Sequence, residues 1–201
     1  TFYELASLER VRSWRRRVPD DFEFSVRLNR MVTHKYRLEP IEEAFRIFSY
    51  IKEVCRILKS DTIVVQTPKT LNFDDEKIRA VRNFFGSINL KGLRIAWEVR
   101  RKTREIPKEL IAVMRDYDMI HCVDISREKP AYETDRIYTR LFGRGKHNIY
   151  QFTDDELVEI ERKTSERKYS KVSISFHNVK MYKDAARFKV YKETGKNVPI
   201  T

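Results

Sequence analysis

The sequence predicts an α/β fold of the TIM-like (β/α)8 barrel type, and three observations predict it. Apolar or period-two stretches of strand length alternate with helix-period stretches along the chain. The unit of one strand and one helix recurs at ~30 residues, which favours a parallel sheet closed into a barrel over an open, doubly wound sheet. No Gly-rich turn of the GxGxxG or Walker type follows any strand; Gly143-Arg144-Gly145 lacks both the spacing and an immediate helix.

Taken in order, strand patterns fall at residues 1–5, 23–28, 62–67, 93–100, 119–125, 137–142 and 172–177. Helical patterns fall at 7–17, 40–58, 74–85, 107–117, 154–163 and 180–194. Pro40 and Pro107 suit first-turn positions, Thr153 with Glu156 forms a capping box, and Gly195 follows the last helix. Residues 126–135 connect two strands with no room for a full helix. A chain of 201 residues with 41% hydrophobic content suits one well-buried core, so residues 1–201 read as a single domain.

The longest apolar runs are only a few residues long, whereas a bilayer span needs ~20, so a cytoplasmic protein with no membrane partner is expected. Cys55 lies in a helical pattern and Cys122 in a strand pattern, neither at metal-ligand or redox-motif spacing, and both read as buried free thiols. Charged residues make up 36% of the chain, a balance that accompanies surface ion-pair networks in thermophilic proteins. With 42 basic against 30 acidic side chains, the net charge of +12 implies attraction to polyanions: nucleic acid or a phosphorylated small molecule.

In a barrel, alternate strand residues point inward, and the last inward positions at the carboxyl ends line the active face. Over 93–100 the bulky Ile95, Trp97 and Val99 fit the helix-facing side, which leaves Ala96, Glu98 and Arg100 inward. The same phase turns Ser25 and Arg27, Val64 and Gln66, Cys122 and Asp124, Tyr138 and Arg140, and Ser173, Ser175 and His177 inward, with Asn178 just beyond and Thr33-His34 after their strand. The expected site therefore comprises Arg27, His34, Gln66, Glu98, Arg100, Asp124, Tyr138, Arg140, His177 and Asn178. The competing reading is a salt-bridge layer in which inward arginines and carboxylates neutralise each other. Three inward arginines against two carboxylates leave positive charge over, and planar guanidinium forks suit phosphate or carboxylate groups.

No metal or other cofactor is expected. His34, His121, His177, Asp124 and Glu98 are of the right ligand types, but no HxH or HExxH motif puts two of them on one short element. There is no GxSxG elbow for nucleophilic catalysis.

The strand-end motifs, in order, resemble the YecE-like family, domain-of-unknown-function family 72, a group of TIM-barrel-like proteins. Thr1-Phe2-Tyr3 is similar to its TFY opening, and Phe22 to Arg27 to its FxFAVK. Thr33-His34 is similar to its TH, Gln66-Thr67-Pro68 to its QLPP, Trp97-Glu98-Val99-Arg100 to its FEFR, residues 138–143 to its YVRLHG and Phe176-His177-Asn178 to its FNN. Arg27 stands for a usual Lys, Phe142 for a usual His and His177 for a usual Asn. The resemblance implies a barrel. Since the family carries a further strand and helix before TFY, it also implies that the sequence lacks the first β-α unit, either because it is a piece of a longer chain or because this member builds its barrel with one strand fewer.

Two functions compete. One is an enzyme-like barrel that binds a phosphate-bearing anion at its C-terminal mouth and hydrolyses phosphodiester or nucleotide substrates. In that reading Arg27, Arg100 and Arg140 clamp, Glu98 or Asp124 acts as acid or base, and Tyr138, His177 and Asn178 orient the substrate. The alternative is a non-catalytic nucleic-acid-binding protein. Arg100, Arg101, Lys102 and Arg104 on one loop, and Arg144 and Lys146 on another, are the clusters placed to meet phosphates, with Tyr138 and Tyr150 to stack on bases; the arginines of 10–17 read as a solvated helix face.

Overall fold

The computed structural model describes residues 2–101 and 105–196. Six strands alternate with six α-helices: α1 (Leu8–Arg16), β1 (Ser25–Arg27), α2 (Glu42–Leu58), β2 (Thr62–Thr67), α3 (Asp75–Gly86), β3 (Arg94–Val99), α4 (Lys108–Asp116), β4 (Ile120–His121), β5 (Arg136–Leu141), α5 (Asp154–Ser165), β6 (Lys171–Phe176) and α6 (Met181–Thr194). The expected alternating α/β fold with parallel sheets is what the chain forms. Its contacts divide it into two compact units, Thr1–Ile120 and His121–Thr201.

In the first unit β1, β2 and β3 lie side by side in that order. β1 runs parallel to β2 with Arg27 opposite Val64, and β2 runs parallel to β3 with Val64 opposite Ala96 and Gln66 opposite Glu98. Helix α2 repeats Ala44, Phe48, Ile51, Val54, Cys55 and Leu58 on one buried stripe and stops at Lys59, whose φ of 55° takes the left-handed conformation. Between α3 and the sheet, the Phe85 ring centre lies 5.6 Å from that of Trp97, which is fully buried. Truncating an aromatic so placed costs about 3–5 kcal/mol. Odd positions of β3 thus face the helices, and the even ones, Ala96 and Glu98, take the other face as their phase predicted.

The second unit pairs β5 and β6 in parallel, with Tyr138 opposite Ser173 and Arg140 opposite Ser175. Ile137, Leu141, Phe152, Leu157, Ile160 and Phe188 form its core, with Val172, Ile174 and Phe176 packed against them. Here too the alternate residues Tyr138 and Arg140 fall on the face away from the helices. The capping box of Thr153 and Glu156 opens α5, and Gly195, at a φ of 69°, ends α6.

Several boundaries differ from expectation. Residues 2–5 form no strand: Phe2 O accepts from Arg30 N at 2.8 Å, and the Phe2 ring lies beneath a guanidinium group, so the alternating pattern there serves anchoring instead of a ladder. The pattern at 119–125 contracts to β4 and a single bridge from Val123 to Thr139. Beyond that bridge the Thr139 hydroxyl substitutes for the ladder: it donates to Val123 O (2.7 Å), which also accepts from Arg140 N (3.1 Å), and accepts from Ile125 N (3.1 Å). After β1 the chain makes an unexpected π-helical turn, Met31–Lys35, closed by Tyr36 N donating to Met31 O at 2.8 Å. Pro107 caps α4 instead of entering its first turn, and Pro40 precedes the Ile41 cap of α2.

Candidate functional site

The carboxyl ends of β1, β2 and β3 bring together all five of the first unit's expected site residues. Arg27 ends β1, and its Nη2 donates to Gln66 Oε1 across the β1–β2 pair. The same guanidinium lies 3.4 Å from the centre of the Phe2 ring, a cation–π contact that holds it flat. His34, in the π-helical turn, packs edge-to-face with Phe2, ring centres 5.5 Å apart, while its Nδ1 bonds the Thr33 hydroxyl at 2.8 Å. On β3 the buried Glu98 accepts from Arg100 Nε at 2.7 Å, and the Arg100 side chain remains 37% exposed.

The electrostatics of this cluster centre on His34. Burial, and then the positive charges of Arg27, Arg30 and Arg100, push its pKa below the ordinary value of 6.5, so the ring is held neutral. Against those three guanidinium groups stands the Glu98 carboxylate, engaged with Arg100. The guanidinium groups present planar donor forks, and the imidazole a further hydrogen-bonding group. Beside it, a cavity of about 540 Å³ is lined by Lys69 and Phe73 after β2 and by Val99, Arg101, Glu105 and Lys108 around the loop after β3. None of the expected site residues lines that cavity. Of the basic loop after β3, Lys102 and Arg104 lie outside the described residues.

The second unit collects the other five. Arg140 Nη2 lies 3.4 Å from His177 Nδ1, and the Phe142 ring packs edge-on to His177 at 5.0 Å, with the Arg140 guanidinium 5.3 Å above Phe142. Tyr138 sits two residues before Arg140 on the same face of β5. Asp124 is a staple: Oδ1 accepts from Ser126 N (3.0 Å) and Oγ (2.6 Å), and Oδ2 from Phe142 N (2.8 Å) and Gly143 N (3.3 Å). Asn178 donates from Nδ2 to Tyr150 O (2.8 Å) and to Asp184 Oδ2 (2.6 Å), while its buried Oδ1 meets no hydrogen-bond partner among the described residues.

Sequence reasoning missed Phe2 and Arg30 in the first unit and Asp184 and Arg187 in the second. Arg30 is three residues past Arg27 in a segment read as loop. Asp184 and Arg187 share with Phe188 the i, i+3, i+4 spacing of one helix face, the available signal that these charges go inward. Arg187 bonds Asp184 Oδ1 at 3.0 Å and Phe152 O at 2.7 Å, and also pairs with Asp154.

Both cysteines are buried thiols outside any disulfide among the described residues, as expected. Desolvation pushes the Cys55 thiol up to about 12, so it stays protonated and inert. Among the described residues no group of three or more His, Cys, Asp or Glu is placed to hold a metal ion, and no helix is long and apolar enough to cross a membrane.

Parallel strands alternating with helices define an α/β protein. The chain belongs to the DUF72 family, "Protein of unknown function DUF72", whose family model matches residues 1–193. It is similar to the crystal structure of a DUF72 family protein from Thermotoga maritima MSB8, with TM-score 0.73 and 19% identity over 96% of this chain and 82% of that one. A DUF72 family protein from Enterococcus faecalis V583 is similar with TM-score 0.69 and 17% identity over 98% and 83% of the two chains. No curated protein matches the chain.

Proposed function

We propose that this DUF72 protein is a (β/α)8-type barrel that binds a phosphate-bearing anion at the carboxyl ends of its strands and hydrolyses a phosphodiester or nucleotide substrate. The observation that carries the reading is that Arg27, Arg30 and Arg100 all act on His34 with their positive charge, while Glu98 pairs with Arg100 beside them. Guanidinium groups supply the charge and fork geometry for phosphoryl oxygens, and His34 supplies a hydrogen bond. Glu98, buried and oriented by Arg100, is the general base; when the anion draws Arg100 away, the carboxylate is released to take a proton from water. Asp124 is the weaker candidate for that role, because both its oxygens already serve backbone donors of the loops it staples.

Thermal-shift titration tests the anion site. Sulfate and inorganic phosphate in the millimolar range are expected to raise the midpoint beyond a chloride control of matched ionic strength; saturation at about 100 times Kd corresponds to about 2.7 kcal/mol. Arg27→Ala and Arg100→Ala each remove the effect if these arginines bind the anion. Equal curves in sulfate and chloride sink the reading. Once a hydrolysed substrate is found, Glu98→Gln should abolish turnover and spare binding. Binding of polyanions without any turnover would favour the non-catalytic nucleic-acid reading, which the net charge of +12 supports.

A further inference from the structure

We propose that the second unit carries a docking surface for single-stranded nucleic acid, formed by the loop after β5 and the start of α6, and separate from the anion site of the first unit. The juxtaposition is fixed by two bonds: Val179 N donates to Asn148 O at 2.8 Å, and Asn178 Nδ2 donates to Tyr150 O at 2.8 Å. These hold residues 146–149 beside residues 178–182. Three large hydrophobic side chains there are unusually open, Ile149 at 70%, Val179 at 61% and Tyr182 at 81% exposure. Lys146, His147 and Lys180 are exposed among them, and no carboxylate pairs with any of the three among the described residues.

The loop is built to hold this display. Gly143 has a φ of 73°, and a Cβ there would come within 2.1 Å of the Tyr150 ring; a Cβ on Gly145 would come within 1.9 Å of Ile149 O. Asp124 accepts from Gly143 N, and the Tyr150 hydroxyl donates to Glu156 at 2.5 Å. His147 and Asn148 both take left-handed conformations, φ 52° and 62°, which side chains other than Gly adopt at a cost and keep where the surroundings enforce them. The surface is therefore preorganised, and docking it orders little.

Charge and area together select the partner. A protein interface needs about 800 Å² from each side, far more than three apolar side chains offer, and anchoring in a bilayer likewise calls for a larger apolar face. A polyanion needs only spaced cations and a platform. Lys146 and Lys180 meet phosphates, and the exposed Tyr182 ring stacks on an unpaired base, with Ile149 and Val179 packing alongside. Bases inside a duplex are already stacked, so a single strand is favoured.

Fluorescence anisotropy with a labelled single-stranded oligonucleotide of about 12 nucleotides at ~50 mM salt tests the proposal. Binding is expected to weaken with salt at a log–log slope of about 0.7 per phosphate contact. Tyr182→Ala should weaken it about five-fold or more, the loss of one stacked base. The double variant Lys146→Glu with Lys180→Glu should weaken it about ten-fold or more, while Arg12→Glu with Arg16→Glu on α1 changes it little. Circular dichroism checks that each variant folds. Absent binding, equal affinity for duplex, preference for anionic lipid vesicles, or indifference to Tyr182→Ala would each overturn the docking surface. Loss of binding on Arg27→Ala alone moves the contact to the anion site and overturns it too. Failure of sulfate to stabilise the protein, with the oligonucleotide results intact, removes the anion reading and leaves this one standing.

Discussion

His34 is partly buried, touches the Phe2 ring and bonds the Thr33 hydroxyl, and its burial together with the positive charges of Arg27, Arg30 and Arg100 opposes its protonation. Its pKa lies below 6.5 in the folded protein, and the sign of the linkage follows. As pH falls through 6.5 the unfolded chain takes the proton first, so folding loses stability until pH passes the folded value, and above 6.5 the effect is absent. A bound dianion reverses the balance by offsetting the arginines and raising the His34 pKa, so binding takes up a proton. Sulfate, which does not titrate in this range, should therefore bind more tightly at pH 5.5–6 than at pH 8, by about ten-fold for each pKa unit that the anion restores. His34→Gln should flatten that dependence while leaving some sulfate affinity. A pH-independent wild-type affinity, measured by calorimetry, would remove His34 from the site. The sequence made part of this cluster legible: strand phase alone put Arg27, Gln66 and Glu98 on one face, and the register Gln66 to Glu98 agrees. It did not show that Phe2 and Arg30 complete the cluster, because both sit in irregular segments where periodicity carries no direction.

Elements show the same division between what local pattern fixes and what tertiary bonds decide. The long helix α2 was readable because its apolar stripe spans 17 residues, and α5 because its capping box is a local device. The strand pattern at 119–125 was misleading at its end, where Ile125 N bonds a distant side-chain hydroxyl, that of Thr139, instead of a strand carbonyl. Helix α6 was readable as a helix but not as an anchor. Its Asp184 is fully buried and its Arg187 nearly so; together they tie Phe152 and Asn178, just before α5 and α6 respectively, into one network. Removing one partner strands the other's charge, so Arg187→Met should cost about 3–5 kcal/mol in denaturant unfolding. The double change Arg187→Met with Asp184→Leu should recover part of that loss, since it removes both charges. A single variant within ~1 kcal/mol of the parent would show that the pair contributes no more than an exposed one.

For the whole molecule, sequence showed the alternation of strands and helices and the character of the surface, while the division into units at Ile120 left no mark in composition. No Pro-, Gly- or Ser-rich stretch separates the units; only 5 glycines and 6 prolines occur in the entire chain. The charged residues, 36% of the total, are engaged as shared pairs as well as single ones. Arg162 bridges Glu159 at 2.7 Å and Glu166 at 2.6 Å along α5, Lys192 of α6 reaches Glu161 of α5 at 3.5 Å, and Arg167 pairs with Glu133. At room temperature exposed pairs of this kind contribute little. On heating, hydration of the separated charges becomes less favourable, so the cost of bringing them together falls and networks gain relative to apolar burial, which levels off. A chain so composed is expected to unfold late, with a calorimetric midpoint above about 65 °C, the top of the range common to mesophilic domains. Replacing Arg162 with Ala should lower that midpoint while leaving room-temperature denaturant stability nearly unchanged, because the network's contribution grows with temperature. A midpoint inside the mesophilic range, or an Arg162 effect equally large at 25 °C, would detach the charge-rich surface from heat stability and leave solubility and attraction to polyanions as its physical consequences.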